Sequence, residues 1–236
     1  QPASGDSGLA LGGLYLGIQD KLNSKFNLVK KYNNYLGSEF TNKEIVNVLK
    51  STKVKYKKFL NIYKPTSKLI KEGKIIAWFQ GSSEFGPRAL GNRSILCKPY
   101  PSSMKDYLNK RVKFREYFRP FAPAVLEEKY KKYFDLRQES PHMLIACKAK
   151  KDRIKEIPAV VHVDNSCRVQ TVSKETNFRF YNLIKEFYNI TKIPVLLNTS
   201  FNVKGQPMVN TPLQAINTFK STNIDILVIG DYIVTK

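Results

Sequence analysis

The chain has 236 residues, of which 42% are hydrophobic; this is enough to bury a core and excludes a disordered chain. Three cysteines and two histidines are too few and too dispersed for a disulfide framework or an all-protein zinc site, so we expect a cytoplasmic protein. The longest apolar stretch near the start, residues 9–18, is short and broken by glycine, which predicts neither a signal peptide nor a membrane span.

The formal net charge of +21 comes from 40 basic and 19 acidic residues. The basic residues comprise 31 lysines, interpreted as a solvated surface, and nine arginines, five of which lie between Arg88 and Arg119. A planar guanidinium suits phosphate and carboxylate groups, so the arginine cluster is the stronger indication of a ligand. Nucleic acid is the alternative partner for so much positive charge.

The predicted elements begin with a glycine-rich segment, residues 1–20, which we interpret as a loop that runs into a tightly packed helix. The lysine- and asparagine-rich residues 21–34 predict an exposed connection. Thr41 and Glu44 have the spacing of a capping box for a helix that extends to about residue 49. Pro65 is expected to open a second helix, which Gly73 ends.

Strands and helices alternate from residue 74 onwards. Helices are predicted from Ser103 to about Val112, after Asn177 and from Thr211. The mixed order, with hairpin-like returns, indicates an α/β or α+β fold with a mixed sheet. Strands are predicted at residues 74–79, 94–97, 121–128, 142–149, 160–172, 193–200 and 224–236.

A glycine-rich loop, residues 80–94, follows the first of these strands and carries Arg88 and Arg93. Glycines let backbone N–H groups approach an anion, and arginines neutralise it, so the loop is a candidate anion site that ends at Ser94. It is not a P-loop, because Asn92 stands where that motif needs lysine. An ordinary strand connection explains the spacing equally well.

A second loop, residues 110–123, alternates Lys113, Arg115 and Arg119 with aromatic residues. In an extended segment these cations point to one face, and Phe114 and Phe118 point to the other. So many neighbouring cations repel one another without an anion, which favours a polyphosphate or nucleic-acid site over a basic surface turn. Stacking of bases on the aromatic rings is an alternative that the pattern leaves open.

Two weaker patterns complete the candidate site. Asn198, Ser200 and Asn202 follow a buried strand, where they can hold a nucleotide or an acyl group, although such runs are more often turns. His162 and Arg168 lie on a predicted strand. A lone histidine there is more often structural, but the neighbouring acid and arginine favour a functional interpretation.

Four motifs together resemble the C-terminal domain of the nodulation and antibiotic O-carbamoyltransferases. They are FQGSSEFGPRALGNRSIL, LNKRVKFREYFRPFAPAVLEE, VHVDNSCRVQTV and PVLLNTSFNVKGQPMVNTP, and the match covers nearly all of residues 35–234. The resemblance implies a YrdC-like fold for residues 36–236. Residues 1–35 resemble the end of the actin-like domain that precedes it in those enzymes.

The resemblance also implies an activity. In the family this domain binds ATP, with Mg²⁺, and carbamoyl phosphate, and forms carbamoyladenylate. The preceding domain holds iron or another divalent metal and passes the carbamoyl group to a hydroxyl of a small molecule. The family's Lys-x-Arg and Ser/Thr-Asn patterns match Lys113, Arg115, Ser200 and Asn202, and its metal-binding Gly-Asp position matches Asp6.

Both lines of reasoning give one expected site. Lys113, Arg115 and Arg119 are expected to act on the phosphates as catalytic residues, aided by Arg88 and Arg93. The other expected binding residues are Ser94, His162, Arg168, Asn198, Ser200 and Asn202. Most of the actin-like domain is absent from these residues, so we expect that domain or a partner subunit to supply the acceptor pocket; the alternative is a stand-alone remnant of such an enzyme. Without it, Asp6 is expected to be a solvated carboxylate in a poorly packed segment.

The sequence departs from the family motifs at two places. Ser82-Ser83 stands where the family has Arg-Met, and Lys98-Pro99-Tyr100 stands where it has Asp-Pro-Arg. The loss of one arginine at each place predicts a change in affinity or in ligand choice.

Overall fold

The described residues of this computed structural model, 3, 5–22 and 33–236, form seven α-helices and ten strands. The helices are α1 (Leu9–Leu22), α2 (Asn42–Ser51), α3 (Tyr63–Lys71), α4 (Ser103–Leu108), α5 (Tyr130–Tyr133), α6 (Phe178–Thr191) and α7 (Pro212–Ser221). The strands are β1 (Lys55–Lys58), β2 (Ile76–Phe79), β3 (Arg93–Cys97), β4 (Ala122–Leu126), β5 (Ala146–Lys148), β6 (Ser166–Arg168), β7 (Gln170–Val172), β8 (Val195–Ser200), β9 (Ile226–Ile229) and β10 (Tyr232–Thr235).

Eight of the described strands form one sheet, in the order β1-β10-β9-β2-β3-β8-β4-β7. The pairs β2–β9 and β4–β7 are parallel, and the other neighbours are antiparallel. β5 and β6 form a separate antiparallel pair. The predicted α/β class with a mixed sheet is confirmed.

Alternation along the strands divides the sheet's side chains between two apolar faces. Ala77 and Phe79 of β2 belong to a core that α2, α4 and α7 cover. Ile76 and Trp78 of the same strand belong to a core that α3 and α6 cover. With both faces covered, the loops at the strand ends are the places where a ligand can reach the sheet.

Three helices begin at the caps that the sequence predicts. Thr41 and Glu44 form both halves of the capping box of α2. Thr211 and Gln214 do the same for α7, and the Asn177 side chain accepts a backbone N–H at the start of α6. These local patterns need no tertiary context, because side chains satisfy the first N–H groups of the helix.

Two other helices differ from the prediction. α3 begins two residues ahead of Pro65, because Asn61 Oδ1 accepts N–H groups of its first turn at 3.1 and 3.3 Å. Ser103 does not cap α4, and α4 ends before residue 112. The chain continues as one π-helical turn, Asn109–Lys113, a geometry that is frequent at functional sites.

Strand β1 was missed by the sequence analysis. It pairs with β10 at the edge of the sheet, and its lysines Lys55, Lys57 and Lys58 are exposed. Charged residues on an edge strand prevent pairing with other chains. The strand was not predicted because its lysine-rich composition was interpreted as a solvated surface.

The amino-terminal segment is exposed over most of its length. α1 was expected to pack tightly, and this is wrong, because Leu14 and Leu16 of that helix are exposed; the exposure agrees with the other expectation, a poorly packed segment around Asp6. Ala3 is buried, and its Cβ approaches Gly86. The predicted connection at residues 21–34 falls largely outside the described residues. None of the described helices has the length and apolar character needed to cross a membrane.

Candidate functional site

Two adjoining cavities form a groove at the ends of β8 and β6 and along the loop that precedes β4. They have volumes of about 210 and 100 Å³ and share Arg115 and Ser200. The larger, the Lys113 cavity, is also lined by Lys113, Arg119, Asn202 and Lys204. The smaller, the Arg168 cavity, is also lined by Arg88, Met143, Arg168 and Asn198. The structure thus brings most of the predicted site residues together.

Lys113 links the two sides of the larger cavity. The residue is only 5% exposed, and its Nζ donates to Ser200 O and Oγ at 2.7 and 3.2 Å and to Asn202 O and Oδ1 at 3.0 and 2.7 Å. These acceptors are all neutral. Burial, and next the charge of Arg115, lower the pKa of Lys113 to about 7. The lysine therefore positions the Ser200–Asn202 segment without a counter-charge of its own.

Arg115 lies where the two cavities meet. Its Nε donates to Asn109 Oδ1 at 2.8 Å, its Nη2 donates to Pro120 O at 3.1 Å, and the guanidinium lies 4.5 Å from the Phe121 ring centre. Burial, followed by the charge of Arg119, lowers the pKa of Arg115 to about 10. These contacts fix the plane of the guanidinium, which is the condition for bidentate binding of a phosphate.

Asn109 holds the loop that carries these cations, a role that no sequence pattern indicated. Its Nδ2 donates to the backbone oxygens of Tyr117 and Arg119 at 3.3 and 3.1 Å, while its own backbone oxygen accepts the N–H groups of Phe114 and Arg115. Phe114 has a φ of 47°, a left-handed conformation that is unusual for a bulky residue. The change from α-helix to a π-helical turn at Asn109–Lys113 lies at the candidate site, and nothing in the local sequence predicts this change.

Glu84 organises the glycine-rich loop. Its Oε1 accepts the backbone N–H groups of Leu90, Asn92 and Arg93 at 2.7, 2.8 and 3.2 Å. A carboxylate that collects several N–H groups fixes the path of the chain around it. The loop therefore has a defined shape, and its tip presents the exposed Arg88 to the Arg168 cavity.

Arg93 does not line the groove, so the expected contact of its guanidinium with a phosphate is wrong. It is 1% exposed, and Nη1 donates to the backbone oxygens of Gln80 and Gly81 at 2.6 and 3.0 Å. Nη2 donates to Ser38 O at 2.9 Å, and the guanidinium lies 3.7 Å from the Phe79 ring centre. Burial lowers the pKa of Arg93 to about 10. The guanidinium is occupied in holding the loop.

Three further predicted residues lie outside the groove. Ser94 is buried in β3, where its Oγ accepts the Gly91 N–H at 3.1 Å. His162 lines neither cavity, and burial lowers its pKa more than Asp164 raises it. Asp6 is exposed, and the described residues contain no group of three or more His, Cys, Asp or Glu that could hold a metal ion. A metal-binding role for Asp6 stays a prediction.

The two departures from the family motifs also lie away from the groove. Ser82 Oγ donates to Glu39 Oε2 at 2.9 Å. Lys98 Nζ lies 5.3 Å from the Tyr100 ring centre. Neither Ser82 nor Lys98 lines either cavity, so their positions give no support to the expected effect on affinity.

Positive charge in the groove is only partly balanced by the residues around it. Among the described residues that line the two cavities there is no aspartate or glutamate. Glu116 lies at the exposed margin, 3.8 Å from Arg119 and 3.9 Å from Lys204. Burial, and then the charge of Arg88, lower the pKa of Arg168. Such a concave, cationic surface attracts an anionic ligand.

Known proteins match this chain over its whole length. The family model described as Carbamoyltransferase C-terminus matches residues 67–236. The uncharacterized protein sll1178 of Synechocystis is 39% identical, and the nodulation protein NolNO of Sinorhizobium fredii is 38% identical; both alignments cover 100% of this chain. They cover 43% and 35% of those relatives, so the chain spans less than half of their length.

A solved structure provides the comparison of folds. HypF of T. kodakarensis superimposes with a TM-score of 0.50 at 19% sequence identity, over 75% of this chain and 21% of that chain. The likeness concerns the fold alone. Together with the mixed sheet and its flanking helices, it confirms the expected YrdC-like architecture.

Proposed function

This chain belongs to the carbamoyltransferase C-terminal family, and we propose that its groove binds ATP and carbamoyl phosphate and forms carbamoyladenylate. One observation carries the proposal. Lys113, Arg115 and Arg168 are partly or almost wholly buried around two connected cavities whose described lining has no acidic residue. Buried cations without counter-charges are costly unless a ligand supplies the anion.

The proposed reaction has two steps. Water first cleaves carbamoyl phosphate to carbamate and inorganic phosphate. A carbamate oxygen then bonds to the α-phosphorus of ATP, and the bond from that phosphorus to the bridging oxygen of pyrophosphate breaks. Both steps gather negative charge on phosphoryl oxygens, so the protein acts mainly by placing the reactants and supplying cations.

The two cavities suggest a division of the ligands by size. We assign the triphosphate of ATP to the larger Lys113 cavity, with Lys113 and Arg119 as its cations. We assign the acyl phosphate to the smaller cavity, with Arg88 and Arg168. Arg115 lines both cavities, so its guanidinium can contact both phosphates where they meet. Mg²⁺ is expected to be held by phosphate oxygens, because the described groove lining offers no carboxylate.

Transfer of the carbamoyl group belongs to the part of the relatives that this chain does not span. We assign the acceptor hydroxyl of a small molecule to a preceding domain or a partner subunit. In that assembly Asp6 would contribute to a site for iron or another divalent metal. Nothing in the groove itself is required for the acceptor, which agrees with its small volume.

The proposal is tested by exchange of labelled pyrophosphate into ATP, with ATP, Mg²⁺ and carbamoyl phosphate supplied to this chain. We expect exchange that depends on carbamoyl phosphate and disappears in Lys113→Ala. Arg111→Ala is the matched control, because Arg111 is an exposed cation of the same segment that lies over Tyr107 and lines neither cavity. Exchange without carbamoyl phosphate, or ATP binding without any exchange, would overturn adenylation by this chain.

A second candidate function is binding of single-stranded nucleic acid. It is favoured by Phe114, Tyr117 and Phe118, which are each more than half exposed on the loop that carries Arg115 and Arg119. Bases stack on such rings, and counterion release makes the affinity fall steeply with salt. An oligonucleotide that binds more tightly than ATP, with a steep salt dependence, would favour this function, whereas a shallow dependence for ATP alone favours the nucleotide pocket.

A further inference from the structure

Asn198 places a buried acceptor beside the Arg168 cavity. The residue is 1% exposed, and its Nδ2 donates to Ala89 O at 3.2 Å and to Gln170 Oε1 at 2.9 Å. Its Oδ1 is buried and has no hydrogen-bond partner among the described residues. A buried amide oxygen without a donor is costly in a native fold and requires an explanation.

The orientation of this amide is set by its neighbours. Gln170 Nε2 donates to Leu90 O at 2.7 Å, so Gln170 must turn its Oε1 towards Asn198. Rotating the Asn198 amide by half a turn would bring Oδ1 against two acceptors, Ala89 O and Gln170 Oε1. The oxygen is therefore held as an acceptor that none of the described residues satisfies, on a residue that lines the cavity.

The groups around the acceptor indicate what kind of ligand fits. Arg88, Arg115 and Arg168 line the same cavity of about 100 Å³, and Arg168 Nε is also buried without a partner among the described residues. A small ligand that satisfies this cavity needs a phosphate for the guanidinium groups and an N–H donor for the Asn198 oxygen. Carbamoyl phosphate has both groups, whereas acetyl phosphate has a methyl group in place of the amine.

We propose that Asn198 Oδ1 accepts a hydrogen bond from the amine of the carbamoyl group and so selects carbamoyl phosphate over acyl phosphates without an N–H. The inference rests on the proposed function, because it names the group that contacts the carbamoyl end of carbamoyl phosphate in the proposed site. A site with a buried acceptor discriminates strongly, since the wrong ligand leaves that acceptor unpaired. Gln170 acts as the positioning residue for Asn198.

The test uses two stable analogues that differ in one group. Carbamoylmethylphosphonate carries the amine, and acetonylphosphonate carries a methyl group at the same place. Calorimetry on the full chain is expected to show about 10- to 100-fold tighter binding of the amine-bearing analogue, the range for one buried hydrogen bond. In Asn198→Ala this preference is expected to fall to about one, while affinity for inorganic phosphate stays within about threefold.

Two further variants keep the test decisive if Asn198→Ala folds poorly. Gln170→Leu retains Asn198 but removes the acceptor that orients it, so the preference should shrink. Asn210→Ala removes an exposed amide outside the groove and should keep the full preference. Equal binding of the two analogues by the wild type, or a preference that survives in both Asn198→Ala and Gln170→Leu, would overturn the inference while the anion site stands. Failure of phosphate and both analogues to bind would instead overturn the proposed function.

Discussion

The glycine-rich loop before β3 and the cationic loop before β4 each carry arginines, but they use them differently. In the first loop Glu84 collects backbone N–H groups, and the neighbouring Arg93 is turned inward onto carbonyl oxygens. In the second loop the organiser is Asn109, a neutral amide, and Arg115 stays at the groove. The loop anchored by the acidic Glu84 uses its arginine to hold structure. The loop anchored by the neutral Asn109 leaves its arginine at the groove, where it can contact a ligand.

The largest expected effect is on stability, from removal of the acidic anchor. Glu84→Ala leaves three buried backbone N–H groups without their acceptor and removes a negative charge that favours the ionised form of the buried Arg93, so unfolding in urea should show a loss of about 3–5 kcal/mol. Asn109→Ala should lose less, about 1–3 kcal/mol, because only neutral hydrogen bonds and one to Arg115 are removed. An unchanged urea midpoint for Glu84→Ala would contradict the assigned role of the carboxylate.

The next effect is on ligand affinity, from removal of the groove arginine. Arg115→Ala should weaken ATP binding by about 10- to 100-fold, since hydrogen bonds to charged groups contribute about 1.5–3 kcal/mol. Arg115→Lys should also lose affinity, because an ammonium cannot make a bidentate contact. Calorimetry with Arg111→Ala as control is the measurement, and equal affinities for Arg115→Ala and Arg111→Ala would show that position in the groove does not matter.

A smaller effect follows from the buried ammonium of Lys113. Its pKa is lowered to about 7, and only the charged form attracts phosphate, so ATP affinity should fall as pH rises above 7, by at most about tenfold per unit. In the absence of ligand, the pH dependence of stability has the opposite sign to that of ATP affinity. Between pH 7 and the ordinary value of 10.5 the unfolded chain holds a proton that the folded chain lacks, so the contribution of Lys113 to stability rises with pH. Lys113→Met should flatten both profiles.

The smallest effect is expected at the margin of the groove. Arg119 is exposed, and its guanidinium forms an ion pair with the Glu116 carboxylate at 3.8 Å. Arg119→Ala should therefore weaken ATP binding by only about two- to fivefold. The loss should shrink further at high salt, as solvent screens the contact. A loss of affinity as large as that of Arg115→Ala would mean that the contributions of the two arginines to ATP binding do not depend on how exposed they are.

Sequence patterns predicted those parts of the fold that depend on neighbours along the chain. The capping box at Thr41 and the cap at Asn177 lie where they were expected, because side chain and backbone there are three residues apart. Most strands were also placed, since buried strands are apolar throughout. Strand β1 was missed because its lysines are exposed and its pairing with β10 is set by a segment about 180 residues away.

The candidate site was likewise predictable only in part from the sequence. Residue types identified Lys113, Arg115, Ser200 and Asn202, and the structure brings them into contact or into one cavity. The types could not separate Arg93 from them, because an arginine's partners are distant carbonyl oxygens. Asn109, Gln170 and Glu84 were missed for a related reason. Each of them makes hydrogen bonds to backbone atoms or to side chains distant in sequence, and such contacts leave no pattern in the sequence.

The crowding of cations in the groove has a consequence for the protein before any reaction takes place. Burial first, and then the charges of neighbouring arginines, lower the pKa values of Lys113, Arg115 and Arg168, so the folded chain holds these cations at an electrostatic cost. An anion that binds only the folded form offsets that cost and shifts the folding equilibrium by mass action, by about 2.7 kcal/mol at a hundred times its dissociation constant. If the groove binds phosphate as proposed, buffer anions take part in the folding equilibrium, and we expect a higher melting temperature in phosphate than in chloride at equal ionic strength.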